Sequence, residues 1–187
     1  SFVDLSSIVP GVTVAKNEGY KTIISIRGVG NETNQNAIAA PSVAYHMDGI
    51  FIASPFSLQT DFIDVQRIEV LRGPQGTLFG QNSTGGAINV ISNKPTTDEQ
   101  FSKADITYGD YGMKQLRSSS NFPISDNVST KLSLSAMTRE GFTENLATGQ
   151  DLDDAHNLSF RTDWMVDLSD TTSLRIFGQY SSCLLYT

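Results

Sequence analysis

Leu158-Ser159-Phe160-Arg161-Thr162-Asp163-Trp164-Met165-Val166-Asp167-Leu168 alternates between two kinds of side chain without a break. Successive side chains of an extended strand leave opposite faces. Leu158, Phe160, Thr162, Trp164, Val166 and Leu168 therefore share one face, and Ser159, Arg161, Asp163, Met165 and Asp167 the other. One face is greasy and the other charged. The pattern recurs in Val128, Thr130, Leu132, Leu134 and Ala136 against Ser129, Lys131, Ser133, Ser135 and Met137. Shorter versions run through Ala104, Ile106, Tyr108 and through Leu174, Ile176, Tyr180. Residues 114–122 alternate poorly and are assigned as a strand only because their neighbours need a partner. Tight turns are expected at 123–127 and 167–171, and a longer Gly- and Asp-rich loop over 140–154. Long alternating strands with short turns at one end and longer loops at the other make up the wall of an outer-membrane β-barrel. A soluble sandwich also alternates, through strands of about 5–6 residues. What separates the two is the destination of Leu158, Phe160, Trp164 and Val166: lipid in the first, a protein core in the second.

The composition narrows the field. The chain has 187 residues, with 20 acidic against 13 basic and a formal net charge of −7, which argues against nucleic acid as a partner. Its one cysteine, Cys183, excludes an internal disulfide framework and multi-cysteine metal sites. No apolar run reaches the ~18 residues of a transmembrane helix, which leaves the strand route into a membrane open. The opening Ser1 and the loss of alternation after Ser181 suggest an internal fragment of a longer protein. The residues beyond 100 suffice for about five strands at roughly ten residues each, whereas the smallest closed barrels need about eight. An open sheet in lipid would leave backbone groups unpaired, so the fragment alone is not expected to insert or transport.

Before Asn93-Lys94-Pro95 the character differs. Short apolar runs broken by Gly and Pro predict strands at 12–15, 22–27, 43–52 (with a turn at Asp48-Gly49), 66–71 and 87–92, and short helices at 2–8 and 61–65, the latter capped by Asp61. The expected fold is an α+β domain over 1–98, one small mixed sheet with short helices. Antiparallel barrel strands of an incomplete barrel follow over 99–187.

The most informative stretch of this first part is Arg67-Ile68-Glu69-Val70-Leu71-Arg72-Gly73-Pro74-Gln75-Gly76-Thr77-Leu78-Phe79-Gly80-Gln81-Asn82-Ser83-Thr84-Gly85-Gly86-Ala87-Ile88-Asn89-Val90-Ile91-Ser92-Asn93-Lys94. It reads as a strand, a turn at Gly73-Pro74, a compact loop whose glycines permit positive φ and close packing, and a second strand. A phosphate-binding loop would end in Gly-Lys-Ser/Thr, and no lysine stands there.

This segment closely resembles the plug-domain signature of TonB-dependent outer-membrane receptors. That pattern runs Arg-Ile-Glu-Val-Leu-Arg-Gly-Pro, then Gly-x-Leu-Tyr-Gly, then Gly-Gly-x-Ile-Asn. Phe79 in place of Tyr, and Ser83-Thr84 before the double glycine, are the departures. Pro10-Gly11-Val12, Ile26-Arg27-Gly28 and Tyr45-x-x-Asp48-Gly49 match in order and at compatible spacing. The resemblance implies a plug inside a barrel of about 22 strands, so that about 17 further strands would follow, in the outer membrane of a Gram-negative bacterium. It also implies active import of a scarce solute, a ferric siderophore first among candidates, and a TonB box pulled by TonB with ExbB and ExbD. Outer-membrane lipid would surround the wall.

The apical plug loops would supply the substrate contacts, Asn31, Thr33, Asn34, Gln35, Phe56 and Ser57, of which Thr33, Asn34 and Phe56 resemble family positions that meet substrate; alternatively, these are solvent loops without ligand contact. Arg67 and Arg72, with Glu69, would form a plug-barrel latch to acids on the inner wall. Alternatively, these are solvated charges, or the arginines pair with Glu69 and Asp64. Gly73, Pro74, Gly76, Gly80, Gly85 and Gly86 form the signature loop. No cofactor, catalytic residue or resident metal is expected. His46-x-Asp48 reads as strand-and-turn chemistry, and Asp151, Asp153 and Asp154 as a solvated run more readily than a calcium site. Asn-x-Ser/Thr sites at Asn31, Asn82, Asn127 and Asn157 matter only in a eukaryotic secretory setting. The alternative of another class is a soluble β-rich binding or adhesin module.

Overall fold

The computed structural model describes residues 5–17, 21–30, 41–53, 62–146, 149 and 151–186. The chain forms two compact units, one of residues 1–59 and 65–92, the other of 60–64 and 93–187.

In the first unit, α1 (Leu5–Ile8) leads through a turn at Pro10-Gly11 into β1 (Val12–Asn17), β2 (Lys21–Ile26) and β3 (Val29–Gly30), an antiparallel meander. β4 (Val43–Met47) and β5 (Ile50–Phe51) make a hairpin about Asp48-Gly49. β6 (Val65–Arg72), α2 (Gly76–Phe79) and β7 (Gly86–Ser92) complete a second sheet of order β5-β4-β7-β6. This sheet is mixed, because β4 runs parallel to β7 while β5 and β6 pair antiparallel. Residues 43–46 of β4 are all buried, as expected for a strand covered on both faces. Leu5, Val12, Val14, Ile24, Ile26, Val43, Ala44, Ala87, Ile88 and Val90 form the buried apolar set.

Two expectations need correction. The domain has two sheets rather than one, because residues 12–30 close on themselves by local hairpins while 43–92 pair through a parallel crossover. Local periodicity shows where strands are but not whom they join. The helix expected at 61–65 is absent over its described part: Phe62 and Ile63 are irregular, Asp64 takes φ +52°, and β6 starts at Val65. The Asp64 carboxylate accepts from Asn93 Nδ2, and Asp61, the expected cap, lies outside the described residues.

In the second unit, β8 (Phe101–Tyr108), β9 (Lys114–Ser125), β10 (Val128–Arg139), β13 (Asp154–Ser169) and β14 (Thr172–Tyr186) form a sheet of order β14-β13-β10-β9-β8. All its pairings are antiparallel, and a small hairpin, β11 (Thr143–Glu144) with β12 (Asp151–Leu152), sits in the 140–154 loop. Among the described residues this sheet has five strands and does not close into a barrel. The turns are tighter than the sequence suggested, Asp126-Asn127 and Asp170-Thr171, because β9 continues through Pro123 at a register shift opposite Val128 and Ser129. The poorly alternating residues 114–122 are strand because β8 and β10 pair with them on both sides.

Burial on this sheet is inverted relative to a soluble protein. Trp164 is 41% exposed and Ile176 58%, and Ile106, Leu116, Leu132, Leu158, Phe160, Leu174 and Tyr180 are exposed with them. On the opposite face Asp163 is 2% exposed and Asn121 0%, and Ser129, Lys131, Ser133, Ser135, Ser159 and Arg161 are buried. Trp164 and its neighbours on the apolar face are thus exposed rather than packed in a core among the described residues.

Candidate functional site

The signature segment is a rigid loop between the adjacent strands β6 and β7. Its chain turns at Gly73 (φ +86°), whose N–H donates to the Gly85 carbonyl at 3.2 Å. Gln75 N–H donates to Ser83 O at 3.0 Å, and the Ser83 hydroxyl donates to Gly80 O at 2.7 Å. These bonds fold the stretch containing Pro74, Gly76 and Gly80 onto itself. Gly85 and Gly86 lie where the two sheets of the unit meet. A Cβ on Gly85 would come 2.9 Å from Val29 Cγ1, and one on Gly86 (φ +143°) would collide with the Leu71 carbonyl oxygen. Close approach, rather than turn geometry alone, demands glycine here.

Beside that loop the register of the mixed sheet lines up Phe51, His46, Asn89 and Glu69 across β5, β4, β7 and β6. Glu69 accepts hydrogen bonds from Arg67 Nε at 2.8 Å and Asn89 Nδ2 at 3.1 Å. The Arg67 bond, then the Asn89 bond, hold the Glu69 carboxyl below its ordinary range. His46 is buried between the rings of Phe51 and Phe79, at centroid distances of 5.5 and 5.0 Å, with Nδ1 unpartnered. Burial pushes the His46 imidazole down. Tyr45 is pushed up by burial and then by the Asp48 charge. Asp48 (φ +50°) ties the hairpin turn to the end of β7, accepting from Ser92 N–H at 3.0 Å and Ser92 Oγ at 2.9 and 2.8 Å. This pairing accounts for Asp48 at the hairpin turn, which the sequence did not reveal.

The buried polar face of the second unit is held by charge-assisted bonds. Asp163 accepts from Arg175 Nε at 2.9 Å and Arg175 Nη2 at 2.5 Å, and from Arg161 Nη2 at 3.1 Å. The guanidinium carbons of Arg161 and Arg175 lie 4.5 and 5.3 Å from the Phe177 ring centroid. Asn121 satisfies its amide fully, donating to Thr96 O at 2.9 Å and Glu99 O at 2.6 Å and accepting from Thr96 N–H at 3.0 Å. Lys131 Nζ lies 2.7 Å from Asp64 Oδ2. The charged groups and Asn121 can be buried here because they have partners of opposite character, whereas the buried Ser129 hydroxyl has none.

The residues named from sequence distribute as follows. Asn31, Thr33, Asn34, Gln35, Phe56 and Ser57 lie outside the described residues. Arg67 pairs with Glu69 and also donates to Gln66 Oε1 at 2.8 Å, both on the exposed side of β6, and Arg72 is exposed at its end. Asp64, considered as an arginine partner, bonds to a lysine instead. Among the described residues no cluster of His, Cys, Asp and Glu is arranged to hold a metal; Asp153 accepts from Thr143 Oγ1 at 2.6 Å, and Asp154 lies 3.3 Å from His156.

Comparison with known proteins follows the same division. The TonB-dependent Receptor Plug Domain family matches residues 1–87. Pesticin receptors of Yersinia enterocolitica and Yersinia pestis are 31% identical over 151 residues, covering 79% of this chain and 21% of theirs. The iron-regulated outer membrane virulence protein of Vibrio cholerae is 32% identical over 142 residues, covering 70% of this chain and 21% of its own. Among solved structures, the ferric yersiniabactin uptake receptor FyuA from Yersinia pestis matches with TM-score 0.81 at 26% identity, over 95% of this chain and 28% of that one. The siderophore receptor PiuA from Acinetobacter baumannii matches in fold, with TM-score 0.77 at 19% identity, over 97% of this chain and 24% of its own. The chain thus spans 21% of the length of these curated relatives.

Proposed function

We propose that this chain, a member of the TonB-dependent receptors with a plug domain followed by the strands of an incomplete barrel, supplies the gate and first wall strands of an importer in a Gram-negative outer membrane. The observation that carries the proposal is the inverted burial of the five-stranded sheet. An exposed row containing Leu158, Phe160, Trp164 and Ile176 costs free energy in water and none in lipid. The outward row of β10 climbs roughly 27 Å from Val128 to Ala136 at about 3.4 Å per residue, and a tilt of ~40° reduces this to roughly 20 Å, close to the ~25 Å apolar band of barrel proteins.

The cargo is a ferric siderophore. The support comes from the names of the relatives, which include a ferric yersiniabactin uptake receptor and a siderophore receptor. Cargo binds at Asn31, Thr33, Asn34, Gln35, Phe56 and Ser57, where amide and hydroxyl groups offer hydrogen bonds and Phe56 an apolar platform. TonB, energised with ExbB and ExbD, then displaces the plug. Arg67 and Arg72 latch the plug to acids on wall strands beyond this chain, with Glu69 orienting Arg67. The rigid signature loop carries their strand.

The test uses the full-length receptor expressed in iron-starved cells that lack their own siderophore receptors. TonB-dependent accumulation of iron from a ferric siderophore is expected. Phe56→Ala with Asn34→Ala should weaken binding by about tenfold or more, and Arg67→Ala with Arg72→Ala should change uptake while leaving binding in place. A full-length receptor that binds no ferric siderophore would contradict the cargo assignment.

A further inference from the structure

The chain of the first unit is interrupted once. Residues 60–64 belong to the second unit, while the stretches on both sides, up to 59 and from 65 to 92, belong to the first. What holds the interruption is a compact set of bonds to one residue. Asp64 Oδ2 lies 2.7 Å from Lys131 Nζ, with side chains 12% and 5% exposed. Asp64 Oδ1 accepts from Asn93 Nδ2 at 2.8 Å, and the Asp64 carbonyl accepts from Asn93 N–H at 2.9 Å. The Ser133 hydroxyl reaches the same carboxylate at 3.4 Å. Lys131 and Ser133 stand two apart on the buried polar face of β10. Ile63, beside Asp64, is buried as well. Asp64 takes φ +52°, turning the chain sharply before β6 begins.

We propose that Asp64 and Lys131 are positioning residues that fasten 62–64 to wall strand β10 as a fixed anchor, which stays on the wall while the rest of the plug moves during import. The inference rests on the import reading above. It differs from the Arg67 and Arg72 latch in polarity and in fate, since here the acid is on the plug chain and the cation on the wall, and the bond persists through the cycle. The physical argument is the asymmetry of buried ion pairs. With both partners present each charge is satisfied, but separation leaves the Lys131 ammonium on a desolvated face whose other acid, Asp163 opposite it on β13, is already engaged by Arg161 and Arg175. The Lys131 ammonium also lies over the Phe101 ring, 5.2 Å from its centroid. A contact so expensive to break suits an anchor better than a release point.

Two measurements on the full-length receptor test this. In hydrogen exchange of the purified protein, Lys131→Met should raise exchange of peptides covering 62–66 and Asn93 by roughly 100-fold or more. Lys131→Arg should restore protection, and Asp64→Asn with Lys131→Gln should fall between. Unchanged exchange in Lys131→Met, with uptake intact, overturns the anchor. In the second measurement, Asp64→Cys with Lys131→Cys is joined by a short bis-maleimide. Uptake should continue within about twofold of the unbridged double variant, whereas loss of uptake with binding retained overturns the anchor in favour of a release point. Absence of uptake in the unsubstituted receptor defeats the import reading and the anchor's role with it, and the exchange arm distinguishes that outcome from failure of the contact itself.

Discussion

In the first unit Val12, Val14, Ile24, Ile26, Ile88 and Val90 turn inward, whereas in the five-stranded sheet Leu158, Phe160, Trp164 and Ile176 turn outward and Ser133, Ser135, Arg161 and Asp163 are buried. The residue types and the two-residue period are shared, so strand chemistry does not decide which face is covered. On the import reading proposed above, what differs is the medium each surface meets. Apolar area is worth about 25 cal/mol per Å² when removed from water, and a first unit with water outside must hide it. A wall strand with lipid outside gains nothing by hiding it and uses the inner face for bonds. The buried polar set therefore has to be self-satisfying, which is what the Asp163, Asn121 and Asp64 clusters achieve.

That contrast can be broken from either side in the full-length receptor in lipid vesicles. The largest effect is expected for Asp163→Ala, which removes the carboxylate shared by the buried Arg161 and the half-buried Arg175 and should cost about 3–5 kcal/mol in unfolding by denaturant. Next is Phe160→Arg on the outward face, expected to cost about 2–4 kcal/mol if that face meets the bilayer interior and almost nothing if it meets water. In the first unit, Gly86→Ala should cost about 1–3 kcal/mol, because the new methyl meets the Leu71 carbonyl and the backbone has positive φ. A smaller effect belongs to His46. Its buried neutral imidazole has a pKa below the ordinary ~6.5 of the unfolded chain, so the unfolded state binds more protons near pH 6. Its contribution is fully present above ~6.5 and is lost as pH falls below that value, a component that His46→Gln should remove from the stability profile. The smallest change is expected for Glu69→Gln. The exposed Arg67–Glu69 pair is screened by solvent, and the unfolding midpoint at neutral pH should not move measurably.

Much of this was legible in the sequence. Alternation located β10, β13 and β14, and the Gly-rich segment located β6 and β7, because both signals are local. β9 was barely visible, since its Ser118-Ser119-Ser120-Asn121 run has no apolar face and is strand only through its neighbours. α2 and β3, of four and two residues, are too short to leave a period. The helix expected at 61–65 gave way to the Asp64 turn because Asp64 bonds to residues distant in sequence: Ser133 is 69 positions away. Ser92, 44 positions from Asp48, fixes the hairpin turn in the same invisible manner. The arginines of the signature were found by pattern, whereas the buried lysine that pairs with Asp64 looked like one more polar residue of an alternating strand.

The central claim is that alternate residues of β13 and β14 face lipid and bonded protein in turn. Nitroxide labels placed singly at positions 158 to 164 and 174 to 179 of the full-length receptor in bilayers read this directly, through accessibility to oxygen against an aqueous nickel chelate. A two-residue period is expected, with oxygen-accessible, nickel-protected labels at 158, 160, 164, 174 and 176 and the converse weakness in oxygen at 159, 161, 163 and 175. Labels at 160, 164 and 176 that were open to the nickel chelate, or closed to both reagents as in a protein core, would contradict the account.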